Sequence, residues 1–257
     1  MKKYFSIGHR LPHFLAAPLF GDRRRFGLKI QRDDPDWLIW QKFYQDFYQR
    51  TQKQGVGKVV NDAGYKIFDR VDLVNKQVLE FGPGTLPHIS FWRGTPASYT
   101  LVDNIEEMLN HSKKVLTNIG VSCETAIINS FELPFDDEKF DVIVSFYSLE
   151  HLYPLENYLL EISRVLKPGG LLVGGIPTEG GVFWGLGRFF TTRRFIKQNS
   201  THNPDKVICW EHPNFAEDIL TQLDESFLPR YKSFWPMSIP FVDVNMIIRF
   251  IYEKKEK

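Results

Sequence analysis

The stretch Val78-Leu79-Glu80-Phe81-Gly82-Pro83-Gly84-Thr85 decides how the chain is interpreted. A short predicted strand runs directly into a turn that contains two glycines. Because glycine has no side chain, a ligand can approach the backbone of such a turn closely. Asp103 lies 21 positions after the first of these glycines, at the end of the next predicted strand. A carboxylate there can accept hydrogen bonds from both hydroxyls of a ribose, so the two features predict a site for a nucleoside-containing cofactor.

Two residues distinguish this turn from a dinucleotide-binding turn. The fingerprint G-x-G-x-x-G needs a third glycine, and this chain has Pro87 in that place, which also removes a backbone donor. Glu80 stands just before the glycines, where its charge would repel a pyrophosphate but attract an ammonium group and a sulfonium. A nicotinamide-dependent oxidoreductase is therefore disfavoured.

Strands and helices alternate on both sides of the turn. The predicted strands cover 77–81, 98–103, 122–128, 140–146, 171–176, 230–235 and 242–250. Helices predicted at 105–119 and 156–166 separate the early strands, which indicates an α/β fold with a parallel sheet and helices on both faces. The two late strands have little helix between them and suggest a hairpin. The sequence thus predicts a Rossmann-like, seven-stranded, mostly parallel sheet whose last strand is antiparallel.

Length and composition suit one α/β domain with additions. The chain has 257 residues, and 43% of them are hydrophobic, enough for a substantial core. Residues 1–75 are predicted to form an extension with two helices, the first beginning at Asp34-Pro35. Residues 76–257 form the domain itself. Within it, residues 177–212 connect the fifth strand to the next helix, and this length predicts a lid over the site.

Composition argues against several other classes of protein. The net charge is +1, which gives no electrostatic case for nucleic acid. Cys123 and Cys209 lie far apart, so neither a disulfide framework nor a zinc signature is indicated, no metal is expected, and a reducing cytoplasm is the expected location.

The N-terminal region carries no membrane-spanning or secretory pattern that we recognise. The apolar run 11–20 contains two prolines and no cleavage pattern, and no segment approaches the length of a membrane span. The basic run Arg23-Arg24-Arg25 follows it. This run is interpreted either as a solvated surface or as a contact with an anionic substrate or the surface of a membrane.

Six segments together resemble the class I methyltransferases whose members carry a methyltransferase type 11 domain. The segments are Val-Leu-Glu-Phe-Gly-Pro-Gly (78–84), Leu-Val-Asp (101–103), Leu-Pro-Phe (133–135), Phe-Asp-Val-Ile-Val-Ser (140–145), Leu-Glu-His-Leu (149–152) and Glu-Ile-Ser-Arg-Val-Leu-Lys-Pro-Gly-Gly (161–170). The resemblance covers about residues 76–176 and implies an enzyme that uses S-adenosylmethionine. Leu86 departs from it, because many relatives have glycine there, and this leaves the shape of the turn open.

The resemblance also implies a set of cofactor-binding residues. They are Glu80, Phe81, Gly82, Pro83, Gly84, Asp103, Asn104, Asn129, Ser130, Phe131, Ser145 and Phe146. The glycines would line the methionine moiety, Glu80 would orient its amino group and Asp103 would hold the ribose. Asn129 stands where the family usually has an aspartate that contacts the adenine amino group, and its side-chain oxygen can accept the same bond. Ser145 and Phe146 would face the methyl group.

Methyl transfer from a sulfonium is an in-line displacement whose positive charge dissipates in the transition state. The protein must mainly align the acceptor and exclude water, and a base is needed only if the acceptor has to lose a proton. His151 is the best candidate for that base. The alternative is a histidine that only forms hydrogen bonds at the start of a helix.

The predicted lid is rich in aromatic and basic residues, and no acidic residue occurs between Glu179 and Asp205. Its predicted acceptor-binding residues are Trp184, Arg188, Arg193, Arg194, Trp210 and His212. Such a lid would suit an acceptor with an apolar or sugar face and an anionic group, although a solvated surface excursion remains an alternative. Glu211 and His212 are second-choice polar groups for catalysis or a helix cap.

The sequence therefore predicts an S-adenosylmethionine-dependent methyltransferase that acts on a small molecule such as a sugar, a lipid or another metabolite. No nucleic-acid partner is expected, and peripheral contact with a membrane is compatible with the basic segment. Two alternatives stay open, which are methylation of a protein or RNA and a non-catalytic scaffold that binds the cofactor. The sequence leaves the oligomeric state undetermined.

Overall fold

A computed structural model describes residues 4–42, 55–199 and 202–256. Within these ranges, seven strands form one sheet in the order β3-β2-β1-β4-β5-β7-β6. The strands are β1 (Gln77–Phe81), β2 (Ser98–Asp103), β3 (Cys123–Ile127), β4 (Phe140–Phe146), β5 (Leu166–Pro177), β6 (Phe227–Trp235) and β7 (Ile247–Lys254). Strands β1 to β5 are parallel, and β7 pairs antiparallel with both β5 and β6. The predicted fold class is confirmed.

Helices cover both faces of this sheet. They are α1 (His13–Phe20), α2 (Arg23–Phe26), α3 (35–42 in its described part), α4 (Gly55–Tyr65), α5 (Glu106–Asn118), α6 (Leu155–Val165), α7 (Val182–Arg188), α8 (Arg194–Asn199), α9 (Pro204–Glu211) and α10 (Ala216–Ser226). Among the described residues, no helix is both long and apolar enough to cross a bilayer.

Two hydrophobic layers enclose the central strands. Ile143 of β4 packs in the layer that contains α6 and α10, and its neighbour Val144 packs in the layer that contains α5. Successive side chains of a strand point to opposite faces, so a strand covered on both sides needs an uninterrupted apolar run. The apolar residues 142–144, all buried, meet this requirement in the middle of β4, which lies at the centre of the sheet.

The predicted strand at 242–250 is wrong in its first half. Val242–Val244 forms a 3₁₀ turn, and β7 begins only at Ile247. The alternation in this segment has another origin, because the polar residues between the apolar ones are also buried. The Asp243 carboxylate accepts hydrogen bonds from the backbone N–H of Ile7 and Gly8, at 2.7 and 2.8 Å. The side chain of Asn245 likewise bonds three backbone groups of the preceding loop.

The N-terminal extension has more helices than the two predicted, since α1, α2, α3 and α4 all lie before residue 76. Helix α3 does begin at residue 35, and Asp34 caps it by accepting the N–H of Asp36 at 2.9 Å. The short α2 is capped in the same way by Asp22, which accepts the N–H of Arg25 at 3.1 Å. The boundary between the extension and the domain at residues 75 and 76 stays a prediction.

Residues 177–212, the predicted lid, fold into regular structure. They contain α7, a π-helical turn (Phe189–Arg193), α8 and α9. Arg193 of the π-helical turn donates to the carbonyl oxygens of Ala17 and Pro18 at the end of α1. The extension and this segment therefore form one connected layer, and its position over an acceptor stays a prediction.

Candidate functional site

The strand order reverses between β1 and β4, and this leaves a crevice beyond the carboxyl ends of the central strands. In open α/β sheets, ligands bind at such a point. The N–H of Gly82 donates to the carbonyl of Val102 at 3.0 Å, which joins the end of β1 to the end of β2. Gly82 and Gly84 have φ angles of 63° and 55°, a region that favours glycine. A Cβ at Gly82 would lie 3.1 Å from the Cβ of Ser148, so the turn passes close to the end of β4.

Leu86 adopts the backbone conformation that a glycine would take there. Its φ is 54°, and its N–H donates to the carbonyl of Pro83 at 3.0 Å. The conformation costs a leucine of the order of 1 kcal/mol, but the side chain is buried and held in the core. Ser112 of α5 donates to the carbonyl of Gly84 at 2.7 Å and further fixes the turn. The departure at Leu86 therefore does not change the direction of the chain.

Glu80 lies inside the protein and not in the open crevice, with 1% of its surface exposed. One carboxylate oxygen lies 2.7 Å from Nε2 of His88, and the other accepts the hydroxyl of Tyr99 at 2.8 Å. Trp92 donates its indole N–H to Nδ1 of His88 at 3.1 Å, so Nε2 carries the proton that Glu80 accepts. Its role toward the cofactor amino group stays a prediction, and the remaining lone pairs would have to supply it.

Asp103 is half-buried at the end of β2, and one carboxylate oxygen accepts the N–H of Ile105 at 2.9 Å. Burial raises the pKa of this carboxyl, and hydrogen bonds from the backbone N–H groups of Ile105 and Asn104 offset part of that rise. The N–H of Ile128 donates to the Asp103 carbonyl at 3.0 Å. This bond places the residues that follow β3 beside Asp103. Among them are the predicted adenine contacts Asn129, Ser130 and Phe131. Their side chains are exposed, as is that of Asn104.

The expectation that Phe146 faces the methyl group is wrong in this structure. Its ring is 6% exposed and packs against Tyr65, Phe68 and His88 in the layer beneath the sheet. Strand alternation directs the last residue of β4 to that face. Phe81 is the last residue of β1, and its ring is buried in the opposite layer, whereas Pro83 lies in the turn; their contacts with the cofactor stay predictions.

Ser145 is fully buried, so its hydroxyl is not open to the crevice either. That hydroxyl lies 2.6 Å from the hydroxyl of Ser148, which in turn donates to the carbonyl of Phe81 at 3.1 Å. The sequence reasoning missed Ser148, which brings the end of β4 to the glycine turn. Ser148 lies three residues after Ser145, just beyond a predicted strand, and this position alone could have indicated a residue near the glycine turn.

Five polar residues gather where β4 and β5 end, and we refer to them as the strand-end cluster. They are Glu150, His151, Glu179, Glu211 and His212. The rings of the two histidines are 4.6 Å apart, and Nδ1 of His212 lies 3.1 Å from a carboxylate oxygen of Glu179. Nδ1 of His151 contacts the carbonyl oxygen of Glu211 and lies 3.6 Å from its carboxylate, while Nε2 lies 4.0 Å from Glu150.

Comparison with known proteins finds similar sequences and similar folds. Residues 79–174 match the family model described as a methyltransferase domain. The phthiotriol/phenolphthiotriol dimycocerosates methyltransferase of Mycobacterium tuberculosis is 38% identical over 104 residues, which are 39% of this chain and 37% of that protein. The fatty-acid O-methyltransferase of Mycolicibacterium smegmatis is 35% identical over 104 residues, with the same coverage.

A crystal structure of an S-adenosylmethionine-dependent methyltransferase from Aquifex aeolicus shares the fold. Its TM-score is 0.55 at 15% identity, over 82% of this chain and 98% of that one. Residues 79–174 thus match a methyltransferase domain, and the sheet has the fold of an S-adenosylmethionine-dependent methyltransferase. The alignments with the two curated relatives span little more than a third of the length of those proteins.

The strand-end cluster of the methyltransferase domain contains buried charges with strongly shifted pKa values. Glu179 is fully buried, yet the charge of Arg188 and a bond from His212 outweigh its burial and hold its pKa far below the usual range. Burial and the charge of Arg188 lower the pKa of His212 to about 3, so this imidazole is neutral near pH 7. Burial raises the pKa of Glu150 to about 7, and its Oε2 has no hydrogen-bond partner among the described residues.

His151 has the geometry that a general base needs. A third of its side chain is exposed. Because Nδ1 faces the carbonyl of Glu211, the proton is assigned to Nδ1, and the lone pair of Nε2 can accept a proton. Its role as the base stays a prediction.

One potential ligand atom each of His151, Glu211 and His212 lie within 4.8 Å of one another. The expectation of no metal in the methyltransferase domain stays a prediction, and this trio is where a metal titration tests it.

Two of the predicted acceptor-binding arginines are instead buried in ion pairs. Arg188 donates two hydrogen bonds to the carboxylate of Glu179. Arg193 donates to Asp205 as well as to the end of α1. Both arginines are 6% exposed. Glu179 and Asp205, the acidic residues on either side of the stretch without acids, are thus the partners of these arginines. The prediction of a free cationic pocket is wrong for Arg188 and Arg193.

The predicted lid aromatics also differ in position. Trp210 is 1% exposed, donates to the carbonyl of Phe26 at 3.2 Å and packs against Trp37, so it is a core residue and not an acceptor contact. Trp184 is half-buried and donates its indole N–H to Glu179 at 2.8 Å, which places it beside the strand-end cluster. Arg194 is exposed on the outside of the layer.

Proposed function

We propose that the protein transfers a methyl group from S-adenosylmethionine to a small, largely apolar acceptor by in-line displacement. The observation that carries this proposal is the junction of β1 with β2 at the crevice. There a left-handed glycine turn lies beside the half-buried carboxylate of Asp103. This arrangement suits the amino-acid and ribose parts of one elongated cofactor.

The residues present fit the cofactor at two points. At the turn, the backbone of Gly82 and Gly84 is free of side chains, so the methionine moiety can lie against it. At the end of β2, the Asp103 carboxylate accepts one hydrogen bond from the N–H of Ile105. Its remaining lone pairs can accept hydrogen bonds from the ribose hydroxyls. When bound, the cofactor supplies a methyl group that its sulfonium has already activated.

The strand-end cluster would act on the acceptor side of the reaction. Nε2 of His151 accepts the proton when the acceptor is a hydroxyl, and a positioned base of this kind contributes about 10²–10⁴ in rate. His212 remains neutral, because burial lowers its pKa, and it can orient an acceptor without adding charge. The buried surroundings of Glu150 and Glu179 exclude water from the same region.

Two observations support a lipid or lipid-like acceptor. One relative is a methyltransferase of phthiotriol/phenolphthiotriol dimycocerosates, and another is a fatty-acid O-methyltransferase. In this chain, Arg188 and Arg193 are neutralised by Glu179 and Asp205, so the connection after β5 offers apolar surface rather than a free anion site there. We place the enzyme in the cytoplasm, because Cys123 and Cys209 are both free thiols.

Cofactor binding is tested by calorimetric titration of S-adenosylhomocysteine into the full chain, into Asp103→Ala and into Asp136→Ala. Asp136 is exposed and serves as the matched control. We expect Asp103→Ala to weaken binding by about 1–3 kcal/mol, since hydrogen bonds to a charged group are lost, and the control to bind like the parent protein. Equal affinities for the parent and Asp103→Ala would contradict the ribose assignment.

The acceptor class is tested with radiolabelled methyl donor. A cell extract is divided into lipid, aqueous metabolite, RNA and protein fractions, and each is incubated with the enzyme. We expect label in the lipid fraction. Label confined to the RNA or protein fraction would show that the acceptor is a macromolecule. Cofactor binding without label in any fraction would favour a scaffold.

A further inference from the structure

Two neighbouring elements expose large apolar side chains outside the described site. On α1, Phe14 is 74% exposed and Leu15 is 45% exposed. On α7 and the π-helical turn after it, Phe183, Leu186 and Phe190 are 47%, 41% and 65% exposed. Their spacing of three and four positions places these three on one stripe of the helical surface. We call these five residues the apolar face.

The two halves of the apolar face belong to one packed layer. Helix α7 contacts α1 through Gly185, where an added Cβ would lie 2.7 Å from Cζ of Phe20 and 3.0 Å from Cβ of Leu19. Arg193 also joins the π-helical turn to the end of α1 by a hydrogen bond of 2.7 Å to the carbonyl of Pro18. The inner sides of both elements are thus occupied by each other and by the core, and the apolar face is their outer side.

Positive charge accompanies the apolar face. Arg24 and Arg25 follow α1, and Arg194 and Lys197 follow the π-helical turn, all four exposed. Within the described part of the chain, none of the four forms an ion pair. Both segments come from sequence without acidic residues, 1–21 and 180–204. We call these four residues the basic rim. Burial raises the pKa of the Asp205 carboxyl, and the nearby charges of Lys197 and Arg25 offset part of that rise, so both lie close to Asp205.

This combination of groups matches the surface of an anionic bilayer. Exposed phenylalanine and leucine side chains enter the boundary between lipid headgroups and acyl chains. Arginine and lysine beside them attract anionic headgroups, an effect that falls off within a Debye length of the surface. An apolar protein partner would match the apolar face but would give the basic rim no counter-charge.

We propose that the apolar face and its basic rim dock the protein on an anionic lipid bilayer. Docking would hold the enzyme at the place where a lipid acceptor resides. The test of this surface measures binding to vesicles and needs neither cofactor nor turnover. Failure of vesicle binding and failure of the proposed methyl transfer are therefore separate results.

The experiment measures cosedimentation of the full chain with vesicles. Vesicles of equal parts phosphatidylglycerol and phosphatidylcholine are compared with vesicles of phosphatidylcholine alone. We expect binding to the anionic vesicles to be about tenfold or more stronger, and to weaken as sodium chloride is added. Arg24→Gln combined with Arg25→Gln should reduce the preference for anionic vesicles.

The apolar contribution is tested with the double variant Phe14→Glu and Phe190→Glu. We expect it to lose most vesicle binding, because two large side chains can no longer enter the interface. Leu160→Glu is the matched control, since Leu160 is 61% exposed on α6, outside the apolar face. All variants should keep the far-ultraviolet circular dichroism spectrum and the thermal unfolding midpoint of the parent chain, which shows that they are folded.

Three results would overturn the inference. The first is equal binding of the parent chain to both kinds of vesicle or to neither. The second is a double variant that binds vesicles as well as Leu160→Glu does. The third is a parent chain that sediments as a dimer and becomes monomeric in the double variant, since the apolar face would then be an interface between two copies.

Discussion

Nε2 of His88 lies 2.7 Å from Oε1 of Glu80, and both side chains are 1% exposed. The carboxylate of Glu80, the residue before the glycine turn, is therefore part of a buried hydrogen-bond network within the protein itself. Tyr99 supplies the second bond to Glu80, and Trp92 fixes the tautomer of His88. This network joins the strand before the glycine turn to the segment after it, so it holds the turn in place.

The network predicts a large loss of stability when His88 is removed. His88→Ala leaves one oxygen of a buried carboxylate without its donor and opens a cavity, so we expect the free energy of unfolding to fall by about 3–5 kcal/mol. Tyr99→Phe removes a single bond and should cost about 1–3 kcal/mol. Urea denaturation at pH 7 measures both. The exposed His111→Ala is the control, and a His88→Ala protein as stable as this control would contradict the buried network.

The pair of Glu179 and Arg188 predicts a second, pH-dependent contribution to stability. Because the folded pKa of Glu179 is held far below its unfolded value, its contribution is present at neutral pH and is lost as the pH falls below about 4.5 toward the folded pKa. Glu179→Gln leaves Arg188 buried without its counter-charge, so we expect a loss of about 3–5 kcal/mol at pH 7.

The measurement for this pair is urea denaturation between pH 3 and pH 8. Glu179→Gln should lose less stability over the acidic part of this range than the parent chain does. Glu132→Gln, an exposed glutamate, should keep the acid dependence of the parent. An unchanged acid dependence in Glu179→Gln would show that Glu179 does not carry a depressed pKa.

The positions of the glycine turn and of Asp103 could be predicted from the sequence because they depend on backbone shape and on the end of a strand. Both properties are written locally in the chain. The sheet could be predicted for the same reason, since the apolar run of β4 requires cover on both faces. The family resemblance then fixed the order of the elements around them.

The partners of buried charges could not be predicted in this way. Arg188 and Arg193 look like free cations when acids are counted only between Glu179 and Asp205, yet those two flanking acids are the partners. The choice depends on how the segment after β5 folds back on itself. His88 gave no local signal either, because its inward direction follows from the turn at Leu86. The strand prediction at 242–250 failed because buried polar side chains imitated a strand pattern.

Glu150 predicts stability that falls as the pH rises. Burial raises its folded pKa to about 7, above the ordinary value of 4.5, so the ionised form is disfavoured in the folded state. The effect of pH on stability is therefore opposite to that of Glu179. The free energy of unfolding declines from about pH 4.5 to about pH 7 and stays reduced above pH 7. The shift corresponds to a penalty of about 3 kcal/mol when Glu150 is ionised.

Glu150→Gln should remove this dependence. Thermal unfolding of the parent and the variant at pH 5 and pH 8 measures it, and we expect a smaller difference between the two pH values in the variant. Glu156→Gln, on the exposed side of α6, is the matched control and should behave like the parent. A variant that keeps the full difference between pH 5 and pH 8 would place the titrating group elsewhere.

His151 predicts a kinetic effect that a purely structural residue would not produce. If the acceptor is a hydroxyl, His151→Ala should lower kcat by about 10²–10⁴ and leave the affinity for S-adenosylhomocysteine within about twofold of the parent. Added imidazole should restore part of the activity by supplying the missing acceptor of the proton, a result that a purely structural role would not give. His111→Ala controls for loss of a histidine elsewhere, and a His151→Ala protein that keeps the parent kcat or does not respond to imidazole would remove His151 from the chemical step.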